Sequence, residues 1–213
     1  MGGRGSSSGG EGWLGGGGGG SIDILDTTSL ISAREGQKLE VDETLQTFKD
    51  MNDQYGYQVD DLQLATMGAG GAGVMAYYDG SNIAFNQKYF NKQLIEGAYA
   101  NDAKKGFHPS QGNKTALQAV ASHEIGHALT DKAIAKMGSK AGKDGAEAIL
   151  KEAQKQAGNR GKLANMASKI SGYAKTSARE CIAEAFADVY CNGGRAKKES
   201  QSIVYVMNKY LKS

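Results

Sequence analysis

His123-Glu124-Ile125-Gly126-His127 puts two imidazoles four residues apart with a carboxylate between them. On a helix, residues at that spacing share a face, so both rings can reach one metal ion. Glu124 sits where it can reach a water on that ion rather than the ion itself. Those groups suit zinc-assisted hydrolysis, most often of a peptide bond. Two of the three histidines in the chain are used here. The plain alternative is a helix that happens to carry two surface histidines. The context favours the metal: Leu117, Ala121, Ile125, Ala128 and Leu129 form an apolar stripe at helical spacing, and His123 and His127 lie beside it.

A catalytic zinc takes three protein ligands and keeps one position open, so a third must come from elsewhere. His108 lies in the loop-like run Gly106-Phe107-His108-Pro109-Ser110 and reads as an exposed loop residue. The metzincin pattern is excluded, because Thr130 and Ala133 stand where it requires Gly and His. A carboxylate from a second helix remains. The run Ser177–Cys191 has helical spacing, with Ile182, Phe186, Val189 and Tyr190 on one side and Glu180, Glu184 and Asp188 recurring every four residues on the other. A carboxylate stripe is usually a solvated face. This helix is otherwise Ala-rich and apolar, so its carboxylates need partners in the interior.

Two assignments fit. Either Glu180 is the ligand with Glu184 supporting it, or Glu184 is the ligand, Asp188 orients a histidine, and Glu180 closes a capping box with Ser177. Tyr173, seven residues before Glu180, could donate a hydrogen bond to the oxyanion of a tetrahedral intermediate.

The ordered set of H-E-I-G-H, Tyr173, Glu180 and then A-E-A-F resembles the catalytic domain of anthrax lethal factor and of the secreted clostridial Pro-Pro endopeptidases. These are gluzincins. The resemblance covers the two motif helices and the strands before them. It implies a zincin-like α+β domain, Zn²⁺ as cofactor, Glu180 as third ligand, Tyr173 as an aid to catalysis and Glu184 as a supporting residue. The connection from His127 to Tyr173 is long and lysine-rich, unlike that family, so the resemblance carries no substrate specificity.

The 213 residues suffice for one ordinary domain, placed at 21–213 after a Gly/Ser-rich tail over 1–20 that reads as disordered. The formal net charge of +2 gives no general case for nucleic acid. The basic stretch 132–175 reads as solvated helix faces. Cys181 and Cys191 stand ten helical residues apart, about 15 Å, too far for a disulfide, and read as reduced core residues. No run is apolar enough to span a membrane, and the N-terminus lacks a signal-peptide core. This argues for a cytoplasmic or virion-packaged protein. The opening G-G-R-G-S-S-S-G is similar to the start of some proteins encoded among phage head genes, and Trp13-Leu14 could be a short docking peptide.

Helices are predicted over Val41–Tyr55, Thr115–Met137, Asp144–Ala157, Leu163–Ile170, Ser177–Cys191 and Ser200–Leu211, with a helix or irregular turn from Asn86 to Ala98. Strands are predicted over Tyr57–Met67 and, flanking Asp79-Gly80, over Val74–Tyr78 and Asn82–Asn86. Gly73–Tyr78 is the candidate edge strand above the metal helix, where zincins bind an extended substrate. The connection after the metal helix either caps the cleft or stands apart in solvent. The expected function is a zinc endopeptidase with a peptide or protein substrate. The rival is a phage-associated structural or interaction protein that keeps a non-catalytic zincin-like scaffold.

Overall fold

Residues 22–32, 36–56 and 61–212 are described by the structure, a computed structural model. The tail 1–20, with Trp13-Leu14, and residues 57–60 of the first predicted strand lie outside them. The fold is α+β, with seven helices beside a small mixed sheet among the described residues. The sheet contains β1 (Ile24–Ser29), β2 (Asp61–Met67), β3 (Ala76–Tyr78) and β4 (Asn82–Asn86) in the order β1-β2-β4-β3. β1 pairs antiparallel with β2, with a register shift between Ile24 and Asp26; β2 pairs parallel with β4; β4 pairs antiparallel with β3.

The hairpin expected at Asp79-Gly80 joins β3 to β4. Gly80 has φ +108°, open to glycine and strained for other residues. The Asp79 carboxylate accepts from the backbone N–H groups of Ser81 and Asn82 at 2.9 and 2.7 Å. The buried Asn86 amide donates to the Val74 carbonyl at 2.7 Å, which stitches the segment before β3 to the end of β4.

The helices are α1 (Lys38–Tyr55), α2 (Lys92–Lys104), α3 (Ala116–Met137), α4 (Gly145–Gln156), α5 (Leu163–Ile170), α6 (Ala178–Asn192) and α7 (Lys198–Leu211). α1 starts three residues before the predicted start. α2 begins later than the predicted Asn86, because Asn86 ends β4, Gln87–Tyr89 forms a turn and the Asn91 side chain caps the helix by accepting from Leu94 N at 3.0 Å. α3 starts at a capping box made by Thr115 and Gln118. It is buried along most of its length, packed against α1, α6 and α7 and touching β3.

The lysine-rich connection is no solvated excursion. Ile149, Leu150, Ala153, Met166, Ala167 and Ile170 are buried in the same core as α3, and α4 packs on α6 and α7. Its charges face outward, where Lys151 pairs with Glu147 and Lys169 with Glu199. Cys181 and Cys191 are free and buried. Among the described residues no helix is long and apolar enough to cross a membrane.

Candidate metal centre

The site lies where α3 crosses α6, and Gly126 sets the depth of that crossing. A Cβ at Gly126 would stand 2.9 Å from the Ala183 Cα and 3.2 Å from the Phe186 Cβ. The missing side chain lets the two backbones approach, which carries Glu180 and Glu184 of α6 up to the histidines of α3. His123 Nε2 and His127 Nε2 stand 3.2 Å apart, and Glu180 Oε2 lies 3.1 Å from the first and 3.3 Å from the second. All three residues are buried, and together they could hold a metal ion.

The other side of His123 is also held. Its Nδ1 lies 2.9 Å from Glu184 Oε1, and the same oxygen lies 3.1 Å from His108 Nδ1. The second oxygen of Glu184 accepts from Ser171 Oγ at 2.6 Å. Ser171 Oγ in turn accepts from Ala174 N at 2.9 Å, at the start of the helical turn Tyr173–Lys175. A carboxylate on the far nitrogen of a ligating histidine fixes its tautomer and ring orientation.

Backbone pairing delivers the remaining groups. Gly172 N donates to Gly106 O at 2.7 Å and Tyr173 N to Phe107 O at 2.9 Å. This pairing lays the segment after α5 along the segment after α2. Tyr173 stacks on His123 at 5.8 Å between ring centroids and hydrogen-bonds through its hydroxyl to Glu180. Glu124 is buried on the same helix, and its Oε2 has no hydrogen-bond partner. It opens onto a pocket shared with Met75, Ala76, Tyr99, Val120 and His108. His127 Nδ1 is likewise buried without a partner.

Burial and charge oppose each other at Glu180, Glu184 and His123. Burial alone would raise Glu180, but the imidazoles of His127 and His123 outweigh it and hold the carboxyl at about 2. Burial would also raise Glu184, yet His108 and His123 keep it well below the usual carboxylate range. Burial would lower His123, but Glu180 and Glu184 prevail and raise it well above the ordinary imidazole value. Glu124 is raised, chiefly by burial, with His123 and His127 countering only in part. Burial, reinforced by the nearby carboxylates, pushes Tyr173 far up, so its phenol stays a neutral donor.

The structure thus brings together His123, Glu124, His127, Tyr173, Glu180 and Glu184. Of the two assignments left open by the sequence, it sets Glu180 against both Nε2 atoms and Glu184 behind His123. The Ser177 hydroxyl caps α6 by accepting from Glu180 N at 3.1 Å, while the Glu180 side chain turns to the histidines. Asp188 is not among these groups. It accepts from Asn192 Nδ2 at 2.9 Å and from Lys197 N at 2.9 Å just before α7, so it orients no histidine. One turn beyond Glu184, α6 has already run past α3's histidines.

His108 departs from the exposed loop residue expected of it: it is buried and bound to Glu184. Ser171 gave no sign in the sequence of its role. The one available signal for His108 was scarcity, since all three histidines of the chain end in one hydrogen-bonded cluster. Comparison with protein-family models, curated proteins and solved structures finds no match.

Proposed function

We propose that the protein is a zinc-dependent endopeptidase of gluzincin type, with a zincin-like fold. The observation that carries this reading is the buried Glu124, whose Oε2 has no hydrogen-bond partner, beside a group of three residues that could hold a metal ion. A buried carboxylate oxygen without a hydrogen bond is costly. It is accounted for if its partner is a reacting water. The donor set suits the ion: ligands about 2.0–2.1 Å from a tetrahedral zinc stand about 3.3 Å from one another, and here the three atoms are 3.1–3.3 Å apart. Two imidazoles and one carboxylate also favour zinc over harder cations.

When bound, the metal supplies a Lewis acid that polarises a carbonyl and acidifies water. The chain's own residues do the rest. Glu124, raised by burial, takes the proton of the attacking water and passes it to the leaving amine. The Tyr173 hydroxyl, which sits on Glu180 beside the proposed ion, is the donor offered to the developing oxyanion. β3 supports a peptide as substrate. It is an edge of the sheet among the described residues, it packs on α3, and Ala76 lines the pocket with Glu124. An extended chain laid along it would gain backbone hydrogen bonds.

The test is cleavage of a peptide library by zinc-loaded protein beside Glu124→Gln. Cleavage by the first, with retained zinc and no turnover in the second, is expected. A Glu124→Gln protein that still cleaves would sink the scheme. A zinc-loaded wild type that cleaves nothing would leave a metal-bearing scaffold.

A further inference from the structure

We propose that His108 is a positioning residue for the metal site, acting through Glu184 on His123; this rests on the zinc reading above. Glu184 Oε1 is shared between His108 Nδ1 at 3.1 Å and His123 Nδ1 at 2.9 Å. An ionised carboxylate only accepts, so both Nδ1 atoms carry hydrogen. With its proton fixed on Nδ1, His123 has Nε2, on the side of His127 and Glu180, as the nitrogen that gives up its proton to ligate a metal. Glu184 needs a mount on its other side to stay there, and His108 with Ser171 supplies it.

His108 is itself held by three aromatic rings. Its ring stacks on Tyr99 at 5.3 Å with the planes 10° apart. Phe107 meets it edge-on at 4.9 Å and Tyr173 at 5.5 Å. The Tyr99 hydroxyl donates to Pro109 O at 3.1 Å, and the backbone on the other side is tied through Phe107 O to Tyr173 N. Three aromatic rings around one imidazole leave it a single orientation. The segment Gly106–Pro109, which carries no motif, is thus coupled to the metal through one carboxylate. His108 also lines the pocket beside Glu124. Loss of peptide cleavage alone would therefore not separate bracing from a changed pocket wall.

Two substitutions separate them. His108→Phe keeps the aromatic stack and the wall but removes the donor to Glu184. His108→Asn places an amide nitrogen where Nδ1 was and removes the wall. The full chain is stripped of metal and titrated with Co²⁺, with affinity and visible absorption as readouts, and then with Zn²⁺. Support consists of a roughly 10–100-fold weaker affinity and an altered cobalt spectrum in His108→Phe, with both largely restored in His108→Asn. Unchanged affinity and spectrum in His108→Phe would overturn the proposal and leave the zinc reading intact. Equal loss in both variants would assign His108 a merely structural role and overturn it as well. A wild type that takes up neither metal overturns the zinc reading, and this inference with it.

Discussion

The two histidines of the motif lie one helical turn apart and are held in different ways. His123 has Glu184 on its Nδ1, and behind Glu184 stand His108 and Ser171. His127 has no hydrogen-bond partner on its Nδ1 and is completely buried. One ring is aimed by hydrogen bonds, the other by packing. The difference teaches that rigidity at this site is concentrated on one ligand, so damage to hydrogen bonds and damage to packing should give different phenotypes.

The largest effect is expected for Glu180→Ala, which removes the oxygen placed against both rings. The Ser177 cap on α6 survives, so the helix should persist while zinc uptake is lost, as read by metal content and circular dichroism. Glu184→Ala comes next. It strips the acceptor from three buried donors at once and should cost about 3–5 kcal/mol of stability to urea and about 10–100-fold in zinc affinity. Wild-type affinity in that variant would erase the contrast between the histidines.

The metal-free protein gives a third handle, through pH. His123 is raised, so its contribution is full below the ordinary 6.5 and is lost as pH climbs through the higher folded value. Glu180 is lowered to about 2, so its contribution is full above the ordinary 4.5 and is lost as pH falls towards 2. Urea midpoints of the stripped protein should therefore peak between pH 4.5 and 6.5. Zinc should lift the alkaline side most, and a flat profile without zinc would contradict the charged cluster.

Packing is probed by Gly126→Ala. Helix propensity would gain about 1 kcal/mol, but the new Cβ meets the Ala183 backbone at 2.9 Å, and overpacking costs about 1–3 kcal/mol. A net loss of about 1 kcal/mol is expected, with weaker zinc binding as α6 is pushed from α3. A more stable variant with unchanged affinity would show the crossing to be slack. The smallest effect is assigned to Asp188→Asn, which should cost about 1 kcal/mol or less at the start of α7 and leave zinc affinity alone. A fall in affinity there would restore the histidine-orienting role that the geometry denies it.

What the sequence revealed and what it hid divide by range. The pair His123 and His127, the start of α6 at Ser177 and the hairpin at Asp79-Gly80 are local patterns, and each appears where spacing put it. Glu180 and Glu184 were both candidates because one helix face carries both. Choosing between them by residues alone was impossible, since it depends on how α6 crosses α3. Asp188 was misread for the same reason: the four-residue period continues while the helix leaves the histidines behind. The bond from His108 to Glu184 spans 76 positions, and nothing near His108 announces it. The parallel pairing of β2 with β4 is equally silent, because β3 intervenes in the chain but lies outside β4 in the sheet.

The register shift between Ile24 and Asp26 bears on how the molecule behaves in company. β1 forms the outer edge of the sheet among the described residues, and Leu25 on it is 65% exposed. A regular edge with an exposed leucine is a template for a strand of another chain, the first step towards aggregation. A bulge spoils that template by breaking the even ladder of N–H and C=O groups and twisting the strand. Straightening β1 at Ile24/Asp26 is therefore expected to make concentrated solutions turbid before it alters anything at the candidate metal centre.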